Sequence, residues 1–89
     1  MSRLKLRTEV VEWRRLEDEI VVLDLASSVY LSIRGVGAVL WEALAEGATQ
    51  EELTALVVDG FEVDPETAGA DVAAYLADLR SRSLVEPAA

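Results

Sequence analysis

Eighty-nine residues, 52% of them hydrophobic, suffice for one domain with one modest core and leave little room for a deep substrate cavity. Cysteine and histidine are both absent, which removes disulfides, thiolate nucleophiles, cysteine-ligated zinc, and the commonest general base and neutral metal ligand. The net charge of −9 is uneven: residues 1–16 hold five basic and two acidic groups, the rest three basic and fifteen acidic; such an acidic body repels phosphate, against nucleic acid and anionic membranes as ligands.

The chain is expected to be a single domain over residues 1–89. Its only lysine, Lys5, falls near an end expected to fray. Glu9–Leu16 mixes β-branched, aromatic and basic residues and predicts a first strand. Glu17-Asp18-Glu19 is a polar turn, and Ile20–Leu25 is the strongest strand signal in the chain. The apolar run Ile20–Leu23 ends at Asp24. That is too short for a signal core of about 7 residues or a membrane span of about 20, so a cytoplasmic protein is expected.

After Ala26-Ser27-Ser28, a third strand is predicted over Val29–Ile33, with Val29, Leu31 and Ile33 on one face and Tyr30 and Ser32 on the other. Short connections make the three strands an antiparallel meander.

Gly35 and Gly37 mark the change to helix. Val36–Glu46 is helical, with Val36, Leu40 and Leu44 at i, i+4 spacing and Trp41 beside them, and Gly47 closes it. Thr49 and Glu52 fit a capping box for a second helix to about Asp59, with Leu53, Leu56 and Val57 facing inward. The two helices form a helix-turn-helix shape. Asp64, Pro65 and Glu66 open a third helix as N-cap, N1 and first-turn acid. It carries the apolar stripe Val72, Tyr75, Leu76 and Leu79, with Arg80 and Arg82 near its end, and Leu84 and Val85 could pack back before Pro87. The expected fold class is therefore α+β, winged helix-turn-helix-like, with an N-terminal three-stranded antiparallel sheet followed by three helices.

The informative feature is the third strand, which is an edge of the meander. Edges are normally guarded by charge, proline or bulges. The first strand has Glu12, Arg14 and Arg15, but Ala26 through Ile33 contains no charge, glycine or proline. Such an edge either accepts an added strand from a peptide or is covered by the third helix or a second copy. Asp71, Tyr75 and Asp78 lie at the margin of the third helix's stripe, where they could meet polar or basic groups of a peptide; the plainer reading is a solvated face. Glu17-Asp18-Glu19 and Glu51-Glu52 read as a turn and a cap. Calcium-loop spacing and a phosphate-binding glycine loop are both missing, and no metal or cofactor is expected.

The order of these pieces resembles the PqqD-like domain, the peptide recognition element of ribosomally made, modified peptides. The residues that carry the resemblance are Tyr30 with Ile33, Gly37, Trp41, Glu46-Gly47, Thr49 with Glu51-Glu52, and Asp71-Val72 with Tyr75-Leu76 and Leu79, over roughly Leu4 to Val85. One departure is that Arg34 and Val36 stand where members often have Asn and Thr, which weakens the cap of the first helix. The resemblance implies a winged-helix-like unit that binds a precursor's leader peptide as an extra strand between the third strand and the third helix. Ser28, Val29, Tyr30, Leu31 and Ser32 would pair through the main chain, and Asp71, Val72, Tyr75, Leu76 and Leu79 would supply side chains. The form it most resembles is the free-standing lasso-peptide version, which implies a separate leader peptidase (a cysteine protease) and a cyclase as partners and no catalysis by this chain. Two other readings stay open: a PqqD-type chaperone of quinone cofactor biosynthesis, and a winged-helix transcription regulator, the latter opposed by Glu66, Asp71 and Asp78 on the third helix.

Overall fold

The structure is a computed structural model describing residues 3–88; residues 1, 2 and 89 of the domain expected over 1–89 lie outside the described residues. In chain order the elements are β1 (Arg3–Leu6), β2 (Val11–Leu16), β3 (Glu19–Asp24), β4 (Val29–Arg34), α1 (Val36–Glu46), β5 (Ala48–Thr49), α2 (Gln50–Phe61), α3 (Pro65–Ser81) and β6 (Val85–Pro87).

The expected meander is present as an antiparallel sheet in the order β2-β3-β4. Glu17 and Asp18 turn between Leu16 and Glu19, with Glu17 at φ 52°. The alternation of the strands sends Val11, Ile20 and Val22 into the core, with Trp13, Leu31 and Ile33 partly buried against it. The opposite face carries Glu12, Arg14, Leu16, Val21, Leu23, Tyr30 and Ser32, as the register requires.

A second antiparallel sheet, in the order β5-β1-β6, corrects the expectation of a fraying N-terminus. Arg3 and Leu4 pair with Thr49 and Ala48; Leu4, Lys5 and Leu6 pair with Pro87, Glu86 and Val85. The Leu-Lys-Leu alternation explains it. Leu4 and Leu6 are buried while Lys5 is exposed, so the first strand is fixed by core burial as well as by its ladder. Leu84 and Val85 do pack back. Pro87 is tolerated because it closes an edge strand.

The helices begin and end close to where their capping residues indicate. Gly35 caps α1 without any side-chain hydrogen bond, which fits the Arg34 and Val36 departure. Gly47, at φ 101°, ends α1 with its N–H donating to the Ala43 carbonyl at 3.0 Å. At α2 the capping box is complete: Glu52 N–H donates to Thr49 Oγ1 at 3.1 Å and Thr49 N–H donates to the Glu52 carboxylate at 2.8 Å. Asp64 caps α3 by accepting from the Thr67 N–H at 3.0 Å.

α1 packs on β1, β4 and α2, while α3 packs on α2 and β6. Trp41 fills the centre, fully buried, with Trp13 edge-on at 6.3 Å. Leu56 departs from expectation, being 39% exposed instead of facing inward. Leu53 and Val57 define the inward direction of α2, and Leu56 lies about 100° around the helix from Val57, beyond the apolar sector. The whole is an α+β fold close to a winged helix, with two small sheets where one was expected.

Candidate functional site

β4 has β3 on one side and no strand on the other among the described residues. The direction of its free hydrogen-bonding groups follows from the turns. A two-residue turn makes Leu16 and Glu19 a hydrogen-bonded pair, so the odd-numbered residues of β3 turn their N–H and C=O toward β2. The Leu25 N–H keeps this parity one residue past the strand, donating to the Val10 carbonyl at 2.9 Å. The even-numbered Ile20, Val22 and Asp24 therefore exchange bonds with their partners Ile33, Leu31 and Val29. That leaves the N–H and C=O of Tyr30 and Ser32 pointing off the edge of the sheet.

Side chains along this edge are open as well. Tyr30 is 71% exposed and Val29 47% exposed. Burial falls from β3 to β4 on the inner face: Ile20 and Val22 are fully buried, whereas Ile33 and Leu31 are only partly so. The inner face of β4 is thus an apolar ledge left half uncovered. Ser28 stands in the preceding turn at φ 60°, its N–H donating to the Asp24 carbonyl at 2.8 Å. β4 runs one residue further than expected, to Arg34, but that charge turns back across its own sheet to Glu19 at 3.3 Å. Ser32 also donates to Glu19, at 2.5 Å, and these two bonds hold the Glu19 carboxyl below its ordinary range, the Ser32 bond contributing most.

The α3 half of the expected site separates into two sets. Val72, Leu76 and Leu79 are core residues, 0%, 1% and 4% exposed, so their side chains are already used in folding and do not line an open surface. Tyr75 is different. Its hydroxyl donates to the Gly37 carbonyl at 3.0 Å, tying α3 to the first turn of α1. Burial, with Asp78 adding to it, raises the Tyr75 phenol well above its ordinary pKa, so the hydroxyl remains a donor. A Cβ on Gly37 would lie 2.9 Å from Ile33 Cγ2 and 3.6 Å from Tyr75 Cε1. The end of β4, the start of α1 and the middle of α3 therefore meet at one glycine. Helical spacing places Asp71 and Asp78 at i−4 and i+3 from Tyr75, so the exposed stripe beside Tyr75 is acidic. Gly37 is the site residue that strand and helix periodicity do not single out. Its signal is a glycine in the first turn of a helix, where Ile33 and Tyr75 close on the backbone.

Among the described residues no group of three acidic, histidine or cysteine side chains could hold a metal ion, and no helix is long and apolar enough to cross a membrane. A backbone edge, an apolar ledge and an acidic helix stripe are groups that recognise a chain by shape and main-chain bonding.

Fold and edge together define a small α+β domain whose β4 edge is open to pairing. The chain belongs to the PqqD family, described as coenzyme PQQ synthesis protein D, which it matches over residues 19–85. Comparison with curated proteins found no match. Among solved structures, the chain is similar to TbiB1 in complex with the TbiA(beta) leader peptide, at 29% identity and a TM-score of 0.85, covering 96% of this chain and 98% of that one. It also shares the fold of a lasso peptide synthetase B1 complexed with the leader peptide, at 21% identity and a TM-score of 0.81, covering 94% of this chain and 98% of the other.

Proposed function

We propose that this domain binds the leader peptide of a ribosomally made precursor as a strand added to β4, and that it presents the precursor to a separate leader peptidase and a cyclase in lasso peptide biosynthesis without catalysing a step itself. The observation that carries the reading is the outward Tyr30 and Ser32 backbone beside a half-open apolar ledge. The 29% identical structure that holds a leader peptide supports it.

On this reading Ser28, Val29, Tyr30, Leu31 and Ser32 form the pairing edge, and Asp71 and Tyr75 face the incoming strand from α3. Val72, Leu76 and Leu79 act from beneath, by fixing α3 in place. A strand laid here projects alternate side chains onto the ledge, so apolar anchors spaced by two suit it, and basic residues suit the stripe of Asp71 and Asp78.

Proline scanning tests the reading. At Tyr30 or Ser32 a proline deletes an outward N–H and leaves the ladder to β3 whole. At Leu31 it removes a bond inside the sheet. One lost bond of about 0.5–1.5 kcal/mol, plus the ring's obstruction, weakens binding by about tenfold or more. Ser32→Pro and Tyr30→Pro should keep a melting transition and lose leader affinity by fluorescence anisotropy, while Leu31→Pro should lose the transition. Normal leader binding by folded Ser32→Pro and Tyr30→Pro would rule out strand addition.

A further inference from the structure

A second open surface lies between α1 and α2. Val39, Ala43 and Glu46 of α1 fall at i, i+4, i+7, as do Glu52, Leu56 and Asp59 of α2, and residues of both stripes line the same surface depression. Two adjoining concavities of about 340 and 570 Å³ share Ala43, Glu46 and Leu56. Alanine at position 43 keeps the floor low, and Leu56, 39% exposed, stands open within it. Trp13 of β2 borders the groove, so it lies toward the β2 side of the meander, at the opposite sheet edge from β4.

The rim is acidic, and the chain shows what it accepts. At one end Arg3 pairs with Glu52 at 3.4 Å and donates to the Gly47 carbonyl at 2.7 Å; at the other, Arg15 pairs with Glu42. Glu46 and Asp59 have no cationic partner among the described residues. An apolar floor between unpaired carboxylates matches a segment with one large apolar side chain flanked by lysine or arginine. Two copies of this face would oppose like charges, and nucleic acid is repelled for the same reason.

We propose that this groove docks a basic, apolar-anchored segment of the leader peptidase, leaving β4 free for the leader, so that substrate and enzyme occupy opposite sides of the domain at once. The proposal rests on the leader-presentation reading. It is tested with the full chain, purified leader peptidase and the precursor, using Leu56→Glu and the double variant Glu46→Lys/Asp59→Lys. Both changes sit at exposed positions, and the second reverses the charge of the rim while leaving the apolar floor in place.

Direct titration of the peptidase onto the domain, without leader, should show binding that weakens with salt and falls by about tenfold or more in both variants. Leader affinity should stay within about twofold of wild type while leader removal slows in parallel. Unchanged peptidase binding in both variants overturns the docking proposal, as does loss of leader binding by a folded Leu56→Glu, which would make the groove a leader site. Self-association of the wild type abolished by either variant overturns it too, by making the face a contact between copies. If the wild type fails to bind leader yet binds peptidase through this groove, the presentation reading falls and the docking surface stands.

Discussion

Gly37 is where a single atom matters most. An added methyl group there would sit 2.9 Å from Ile33 Cγ2, and Ile33 is held by its own ladder and by α1. Either β4 or the first turn of α1 must move. Gly37→Ala is therefore expected to cost about 1–3 kcal/mol in urea unfolding and to weaken leader binding as well, because the displaced strand is the proposed pairing edge. Wild-type stability in this variant would mean that the contact is soft. Tyr75 and Asp71 were legible in the sequence as the margin of an amphipathic stripe. The bond from Tyr75 to Gly37 was not, because it joins positions 38 residues apart and leaves no periodic trace.

At the scale of elements, the helix borders and the meander were readable because each carries a local chemical signal: the Thr49–Glu52 box, Asp64 before Pro65, and alternating β-branched residues from Ile20 onward. The second sheet was not readable. Its strands have four, two and three residues and come from three distant parts of the chain, so no window shows their pattern. The sequence pattern also could not divide α3 into the part that folds and the part that faces a ligand. Val72, Leu76 and Leu79 share one stripe with Tyr75, yet they are buried in the core while Tyr75 is only partly buried and bonds the Gly37 carbonyl. This division makes a direct comparison possible. Leu76→Ala should cost about 2–5 kcal/mol of stability by opening a cavity, while Asp71→Ala should leave the melting curve unchanged and act only on leader affinity. Equal stability of the two variants would contradict the burial pattern of α3.

Across the whole molecule, acid should act through the helix caps. Glu52 is held below its ordinary value of 4.5, chiefly by the Thr49 backbone N–H, and Asp64 below 3.8, chiefly by the Thr67 hydroxyl. Groups with depressed folded values contribute stability that is complete above those ordinary values and is lost as pH falls through the lower folded ones. The melting-temperature gap between wild type and Glu52→Ala or Asp64→Ala should therefore be constant near neutrality and close below about pH 4. Taking the difference removes the relief of self-repulsion that protonation brings to a chain of net charge −9. A gap that persists at low pH would show that the capping carboxylates act without their charge.

The central claim is that the edge of β4 receives a strand, and residue-resolved amide exchange tests it without altering the protein. Val29, Leu31 and Ile33 already direct their N–H groups into the ladder with β3, whereas those of Tyr30 and Ser32 point outward. On saturation with the leader peptide, exchange at Tyr30 and Ser32 should slow to the range of their ladder-bonded neighbours. Fast exchange at both, with the leader demonstrably bound, would contradict strand addition at β4.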